Sequence, residues 1–339
     1  MRFIKEKSPT KKTSSSAKRF LGGLRAIVEA IVIVLLLRAF VVEAHAVPTG
    51  SMIPTILPGE YLLAEKISYR FGNPDVGDVV VFKYPLQPKV DYVKRCVATA
   101  GQRIAIKDGM LYINGAAVPD SHANFSEEFP PLPNLFDIPP EKWQQSWENR
   151  TLMTDIAAHL QQRPDIIIRY CTFLAAYNAN KAGVEVDYDS LLEAVSQVKI
   201  NAVTWEDYQR TALNEGFNAV LGDEYSLEKV MPIIQRSLIT NFYGIANIVI
   251  MNNFAEVTVP DGCIFCMGDN RHHSLDSRFW GPVPLENVKG RPIVLYYSVE
   301  VDPPKPGKAP TMFDNILILI GSFFRPWDVR ASRFFRLLF

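Results

Sequence analysis

Between Ala26 and Ala44 the chain is dominated by Ile, Val, Leu and Ala, most densely at Ile31–Leu37. As a helix at 1.5 Å per residue the run is about 28 Å long, close to the hydrocarbon thickness of a bilayer. Glu29 and Arg38 interrupt it toward its ends, where a long side chain such as Arg38 can snorkel. The preceding residues 1–25 carry Arg2, Lys5, Lys7, Lys11, Lys12, Lys18, Arg19 and Arg25 against one acid, Glu6. Rich also in Ser and Thr, that stretch cannot bury a core and reads as a disordered basic tail. The excess of positive charge places the tail in the cytoplasm and everything after residue 45 across the membrane. Two other readings compete with an anchor. One is a buried core helix. The other is a cleaved signal peptide, for which Ala44-His45-Ala46 supplies a small-x-small site. A 25-residue segment ahead of the apolar run is long for a signal peptide, so the anchor is preferred.

Past the anchor the pattern is that of short strands separated by turns. Glu60–Ser68, Val79–Tyr84, Tyr92–Ala98, Gln102–Ile106 and Met110–Ile113 have strand character, with turn signals at Asn73-Pro74-Asp75, Gly77-Asp78, Lys107-Asp108-Gly109 and Asn114-Gly115. The spacing predicts an all-β unit over 45–119. Pro130–Pro140 is a connector that cannot join a ladder. Between 120 and 245 the periodicity turns helical, over Trp143–His159, Ile166–Asn178, Tyr188–Lys199, Thr204–Asn218 and Leu227–Leu238, with Asp187 and Ser226 as candidate caps. A helical insert that packs as its own lobe on the β core is expected. Alternation resumes at Ile248–Val259, Cys263–Met267 and Arg291–Val299, so the second part of the β core is set at 246–302. Residues 303–339 form a proline-rich linker and a basic, aromatic end, read as interfacial to the membrane, with a terminal helix packed on the core as the alternative.

The formal net charge is zero, and bulk charge gives no sign of nucleic-acid binding. Four cysteines include the Cys263-Ile264-Phe265-Cys266 pair, but no second pair or His cluster completes a zinc site, and on a strand positions three apart face opposite ways. They read as core thiols. No nucleotide-binding glycine pattern is present.

Three pieces carry chemistry: Ser51-Met52-Ile53-Pro54-Thr55, Lys94-Arg95, and the run from Gly268 to Arg278 containing Asp269, Asn270, Arg271, Ser274 and Asp276. A serine hydroxyl needs a positioned base, and a lysine serves only when burial lowers its pKa. Tyr92, Val93, Cys96 and Val97 give Lys94 apolar neighbours. His272 and His273 would allow a histidine base, but adjacent loop histidines read as exposed.

In this order and with these residues, the pieces resemble the type I signal peptidases, also called leader peptidases. The resemblance runs from about Val41 to Asn114 and from about Val257 to Tyr297. It implies a mainly β fold: an antiparallel catalytic core of the signal peptidase type, here with an inserted helical subdomain and an N-terminal transmembrane helix. It implies Ser51 as nucleophile, Lys94 as general base, Thr49 as second oxyanion donor beside the Ser51 amide, and Ser274 as a hydrogen-bond partner of the lysine. Arg95, Asp269, Asn270, Arg271, Asp276 and Arg278 would brace the loop, and Met52, Ile53, Val79 and Phe82 are candidate pocket residues. The implied activity is cleavage of signal peptides from exported preproteins at the cell (inner) membrane, with small residues before the cut and no metal or cofactor. The bilayer is a second partner, and the insert is open to a partner from the secretion machinery. Two alternatives stay open: a Ser-Lys autoprotease of the repressor-cleaving type, and a catalytically silent, membrane-tethered binding module.

Overall fold

The computed structural model describes residues 13–125, 138–198, 205–222, 227–237, 242–301, 318, 320–322 and 325–338. The chain starts with α1 (Thr13–Phe40) and passes directly into β1 (Val42–Val47). Its apolar part, Phe20–Phe40, is 21 residues long and has no buried side chain among its most apolar residues. The spanning helix therefore begins before the expected Ala26 and stops before Ala44. The cause is local: Val42 to Val47 pair in register with Glu65 to Glu60, and strand pairing takes those residues from the helix. Of the expected tail, residues 13–25 are helical, and residues 1–12 lie outside the described residues.

Next come β2 (Glu60–Glu65), the short α2 (Ser68–Phe71), β3 (Val79–Lys83), β4 (Asp91–Thr99), β5 (Arg103–Lys107), β6 (Met110–Ile113) and β7 (Ala116–Ala117). Asp108-Gly109 and Asn114-Gly115 join the last three as two-residue turns. All four turn residues have positive φ, between 50° and 82°, as tight hairpins require.

Helices follow: α3 (Pro140–Glu148), α4 (Leu152–Gln161), α5 (Pro164–Lys181), α6 (Tyr188–Gln197), α7 (Trp205–Leu221), α8 (Leu227–Ser237) and α9 (Phe242–Asn252). The single helix expected over Trp143–His159 is split at Asn149-Arg150-Thr151, where Arg150 takes φ 63°. Asp187 caps α6 by accepting from the Ser190 amide at 2.9 Å. Ser226 lies outside the described residues. The strand-like reading of Ile248–Val259 is corrected. Its first part belongs to α9, where Ala246, Val249 and Ile250 are buried at helical spacing, and only β8 (Phe254–Thr258) is a strand.

The chain then supplies β9 (Cys263–Met267), α10 (Ser277–Trp280), β10 (Val283–Pro284), β11 (Val288–Ser298) and β12 (Arg336–Leu337). The main sheet runs β1-β2-β11-β3-β4-β9-β10 with β12 on β11, and a second sheet runs β7-β6-β5-β8. The named strands pair antiparallel throughout. The fold is mainly β with helices inserted and an apolar N-terminal helix, as expected.

Two cores result. One contains Met52, Ile56, Leu62, Val79, Val81 and Leu295. The other is continuous from Val80, Phe82 and Cys96 in the main sheet, through Trp147 and Phe265, to Leu213 and Ile234 in the helices. The helices thus share a core with the sheet, and the expected separate lobe is corrected to an integrated layer. Trp147, fully buried, is the junction: it stacks on Phe265 with centroids 5.4 Å apart, and its Nε1 donates to Ser277 O at 2.7 Å.

The end of the chain also differs from expectation. Residues 302–317 lie outside the described residues, but 325–338 return to the sheet, where Leu337 and Arg336 pair with Val294 and Leu295. The four cysteines are free thiols, with Cys96, Cys171 and Cys266 buried and Cys263 half-buried.

Candidate active site

Ser51 opens a tight turn after β1, and Lys94 sits in the middle of β4. The turn is closed by Ile53 N–H to Gly50 O at 3.2 Å and Ile56 N–H to Met52 O at 2.9 Å, while Met52 and Ile56 anchor it in the core below. The late loop fastens it from the other side: Asn270 donates from its amide to Ser51 O (3.1 Å) and from Nδ2 to Gly50 O (3.0 Å). Ser51 Oγ is thereby brought to 2.6 Å from Lys94 Nζ, which donates to it and to Val93 O at 3.0 Å.

Lys94 is 4% exposed, which decides its chemistry. Burial drives its pKa down to about 8, against the opposing pull of the Asp276 and Asp269 carboxylates, with Arg278 helping to lower it. A buried amine neutral near pH 8 and in hydrogen-bond contact with a hydroxyl is the combination that makes a serine nucleophilic.

Around the pair lies a satisfied ionic frame. Arg95 forks onto Asp269 (Nε–Oδ1 2.8 Å, Nη2–Oδ2 2.7 Å) and reaches Gly77 O at 2.7 Å. Arg278 forks onto Asp276, with both distances 2.8 Å, and holds Arg271 O at 2.7 Å. Burial pushes the Asp276 carboxyl up, but Arg278 and the Gly268 amide hold it below the usual range. Arg271 binds Gly268 O at 3.1 Å and pairs with Asp120. Each buried arginine of this frame thus has a carboxylate partner, forked for Arg95 and Arg278, which is the condition for tolerating it. The frame joins residues far apart in sequence, so it fixes the late loop relative to β4.

Several expected site residues fall elsewhere in detail. Ser274 is buried beside Gly268 and helps to lower the Asp276 carboxyl. Its Oγ makes no hydrogen bond to Lys94 among the described residues. Thr49 lies at an exposed bend two residues before Ser51. Val79 and Phe82 belong to the two different cores and do not line one pocket: Val79 packs with Met52, while Phe82 packs against Tyr92 and Trp280. Met52 is buried beneath the turn, and Ile53 remains half-buried at its surface. His273 is exposed, but His272 is buried, lining a cavity of about 600 Å³ with Phe125, Asn252 and Arg271, where its ring meets Phe125 edge-on at 5.3 Å.

Sequence reasoning missed contributors whose partners only the fold supplies. Thr55 Oγ1 donates to Asp269 Oδ2 at 2.6 Å, tying the Ser51 turn to the ionic frame. Ser277 Oγ accepts from Cys266 N at 3.0 Å, and Arg278 Nη1 reaches Met251 O in α9 at 3.3 Å. Thr55 stands inside the serine motif, and its hydroxyl was the one available signal.

The site sets a serine hydroxyl against a buried lysine amine inside a frame of paired charges. The chain matches the family described as signal peptidase, peptidase S26, over residues 21–162 and 183–297, and it belongs to that family. It is 28% identical to signal peptidase I of Aquifex aeolicus (strain VF5) over 285 residues, covering 82% of this chain and 85% of that one. Over 309 residues it is 25% identical to signal peptidase I of Buchnera aphidicola subsp. Acyrthosiphon pisum, covering 85% and 78%. With signal peptidase I of Rickettsia conorii the identity is 25% over 352 residues, or 96% and 95% of the two chains. The protein is accordingly a serine peptidase that cleaves signal peptides, anchored to a membrane through its apolar helix. Membership in this family decides against the repressor-cleaving and silent-module alternatives.

Proposed function

We propose that Ser51 and Lys94 form the catalytic dyad. The carrying observation is the 2.6 Å contact between Ser51 Oγ and a Lys94 amine whose burial brings its pKa to about 8. In the neutral state Nζ accepts the Ser51 proton as Oγ bonds to the scissile carbonyl carbon. The carbonyl π pair moves to oxygen, where the Ser51 amide and the Thr49 hydroxyl donate to it. Collapse breaks the C–N bond, the Lys94 proton goes to the leaving amine, and the signal peptide remains as an ester on Ser51. Water, deprotonated by Lys94, then releases the peptide and regenerates the hydroxyl.

Arg95, Asp269, Asn270, Arg271, Asp276 and Arg278 hold the late loop against the nucleophile turn, and Ser274 supports that loop from within. Ile53 at the turn surface is the best placed of the expected pocket residues. Substrates are the signal peptides of exported preproteins. The basic residues before α1 favour a single pass with the N-terminus in the cytoplasm and the catalytic unit on the extracytoplasmic side of the cell (inner) membrane. Exposed Phe71, Trp327 and Phe335 support contact of the catalytic unit with the bilayer surface, the second partner.

Processing of a model preprotein by wild type and by Lys94→Ala tests the dyad. Wild type cleaves and the variant does not; near-normal turnover of Lys94→Ala would sink the mechanism.

A further inference from the structure

Beyond Tyr297, where the family match ends, the chain does something the dyad alone does not explain. Residues 325–338 come back to the sheet, where β12 pairs antiparallel with β11, and end at the core that carries the nucleophile turn. Leu338 packs against that core, Phe334 lies 5.1 Å from the Tyr297 ring, and Arg330 donates to Pro58 O. The central contact is made by Arg333. It forks onto Glu60, with Nη2 3.0 Å from Oε2, and the same Nη2 donates to Thr55 O at 3.0 Å.

Glu60 is fully buried, so its charge needs a cation and donors. Its other partners are the Leu57 amide (2.8 Å) and Ser298 Oγ (3.0 Å). Leu57 and Thr55 both belong to the turn that begins at Ser51. Thr55 also donates to Asp269, whose neighbour Asn270 holds Ser51 O. One guanidinium therefore grips the far end of the turn at two points, while the late loop grips the near end.

We propose that Arg333 is a positioning residue for the reaction: through Glu60 and Thr55 O it holds the 51–58 turn where Ser51 Oγ meets Lys94. This rests on the reading of Ser51 and Lys94 as the dyad. The end of the chain then completes the active site from outside the family core.

The test uses the full chain in detergent micelles and a synthetic signal peptide spanning its cleavage site. Lys94→Ala is the control for the dyad: its inactivity upholds that reading independently of the strap. Arg333→Ala is expected to lower kcat by about ten- to a hundredfold, with KM changed little, because a displaced turn affects the attacking geometry. Its ascending pH limb should also move above that of wild type, because a loosened turn admits water to Lys94. Arg333→Lys should be intermediate, since an ammonium cannot fork between a carboxylate and a carbonyl. A merely structural role would lower the thermal midpoint but leave kcat and the pH limb of the folded fraction unchanged, and that result overturns the proposal. If Arg333→Ala does not fold, the neutral double variant Glu60→Gln/Arg333→Gln removes the buried charge. Wild-type kcat in that variant would likewise overturn the proposal, and a kcat reduced as above supports it.

Discussion

Gly268 and Ser51 meet backbone to backbone: a Cβ on Gly268 would stand 2.4 Å from the Ser51 carbonyl oxygen and 2.2 Å from Ser274 Oγ. No side chain fits there, and Gly268 cannot withdraw, because its amide donates to Asp276 Oδ2 at 3.0 Å and its carbonyl accepts from Arg271. The late loop can therefore touch the nucleophile turn only with glycine at this position. Gly268→Ala is expected to separate the two, costing roughly 1–3 kcal/mol of stability as overpacking and about a hundredfold in kcat as misplacement. Thermal unfolding and peptide cleavage measure the two effects. Normal turnover in the variant would mean that the contact does not position Ser51.

The pH dependence follows from Lys94. Its pKa is lowered to about 8, chiefly by burial, and only the neutral amine can take the serine proton. Activity should rise with pH through about 8 and hold above it. Changing His272 and His273 together to Asn should leave that rise in place. A limb near the ordinary histidine pKa, abolished by that double change, would transfer the base to a histidine.

The amine that serves activity costs stability. Its folded-state pKa of about 8 lies below the 10.5 of the free side chain. Between these values the unfolded chain binds more protons than the folded one, so stability rises with pH across the interval. Below about pH 8 the full penalty applies, on the order of 3 kcal/mol for a shift of this size. Lys94→Met should therefore be inactive and, at pH 7, more stable than wild type by about 2 kcal/mol in denaturant unfolding, the lost Ser51 contact offsetting part of the gain. A less stable Lys94→Met would show that the amine is not buried at a cost.

The legible parts of the chain were those fixed by neighbours in sequence. Asp108-Gly109 and Asn114-Gly115 state their hairpins, because few other residue pairs accept two positive φ values in succession. Ser51 and Lys94 were found by motif, and the fold brings them together across 43 residues. α9 was misread because Ile248, Val249 and Ile250 are β-branched, and burial against α4 and β8 overrides their local preference. The part played by Arg333 was invisible, since its partner Glu60 is 273 residues away and nothing local marks either as paired. Val79 and Phe82, three apart on β3, could not line one pocket because strand alternation sends them to opposite faces.

The integration of the helices with the sheet yields the last prediction. Trp147 belongs to the inserted segment, yet its ring stacks on Phe265 of β9, meets Phe254 of β8 edge-on at 6.3 Å, and its Nε1 holds Ser277 O. Ser277 directly follows Asp276, and its Oγ accepts from the Cys266 amide at the approach to Gly268. Removing the indole leaves a cavity at this junction and leaves the Ser277 carbonyl with the Gly281 amide as its remaining donor, at 3.1 Å. Trp147→Ala is therefore expected to cost about 3–5 kcal/mol and to lower cleavage to the fraction that remains folded. Trp147→Phe keeps most of the volume but not the N–H donor, and should cost about 1 kcal/mol for the one hydrogen bond lost, the Gly281 amide still meeting the Ser277 carbonyl. Replacing residues 140–252 by a Gly-Ser linker should, on the same grounds, give a chain without cooperative unfolding, because Phe265 would lose Trp147 and α10, which carries Trp280, would lose α3, α4 and α9. A linker variant that unfolds cooperatively and still cleaves peptide would restore the helices to the status of an independent lobe.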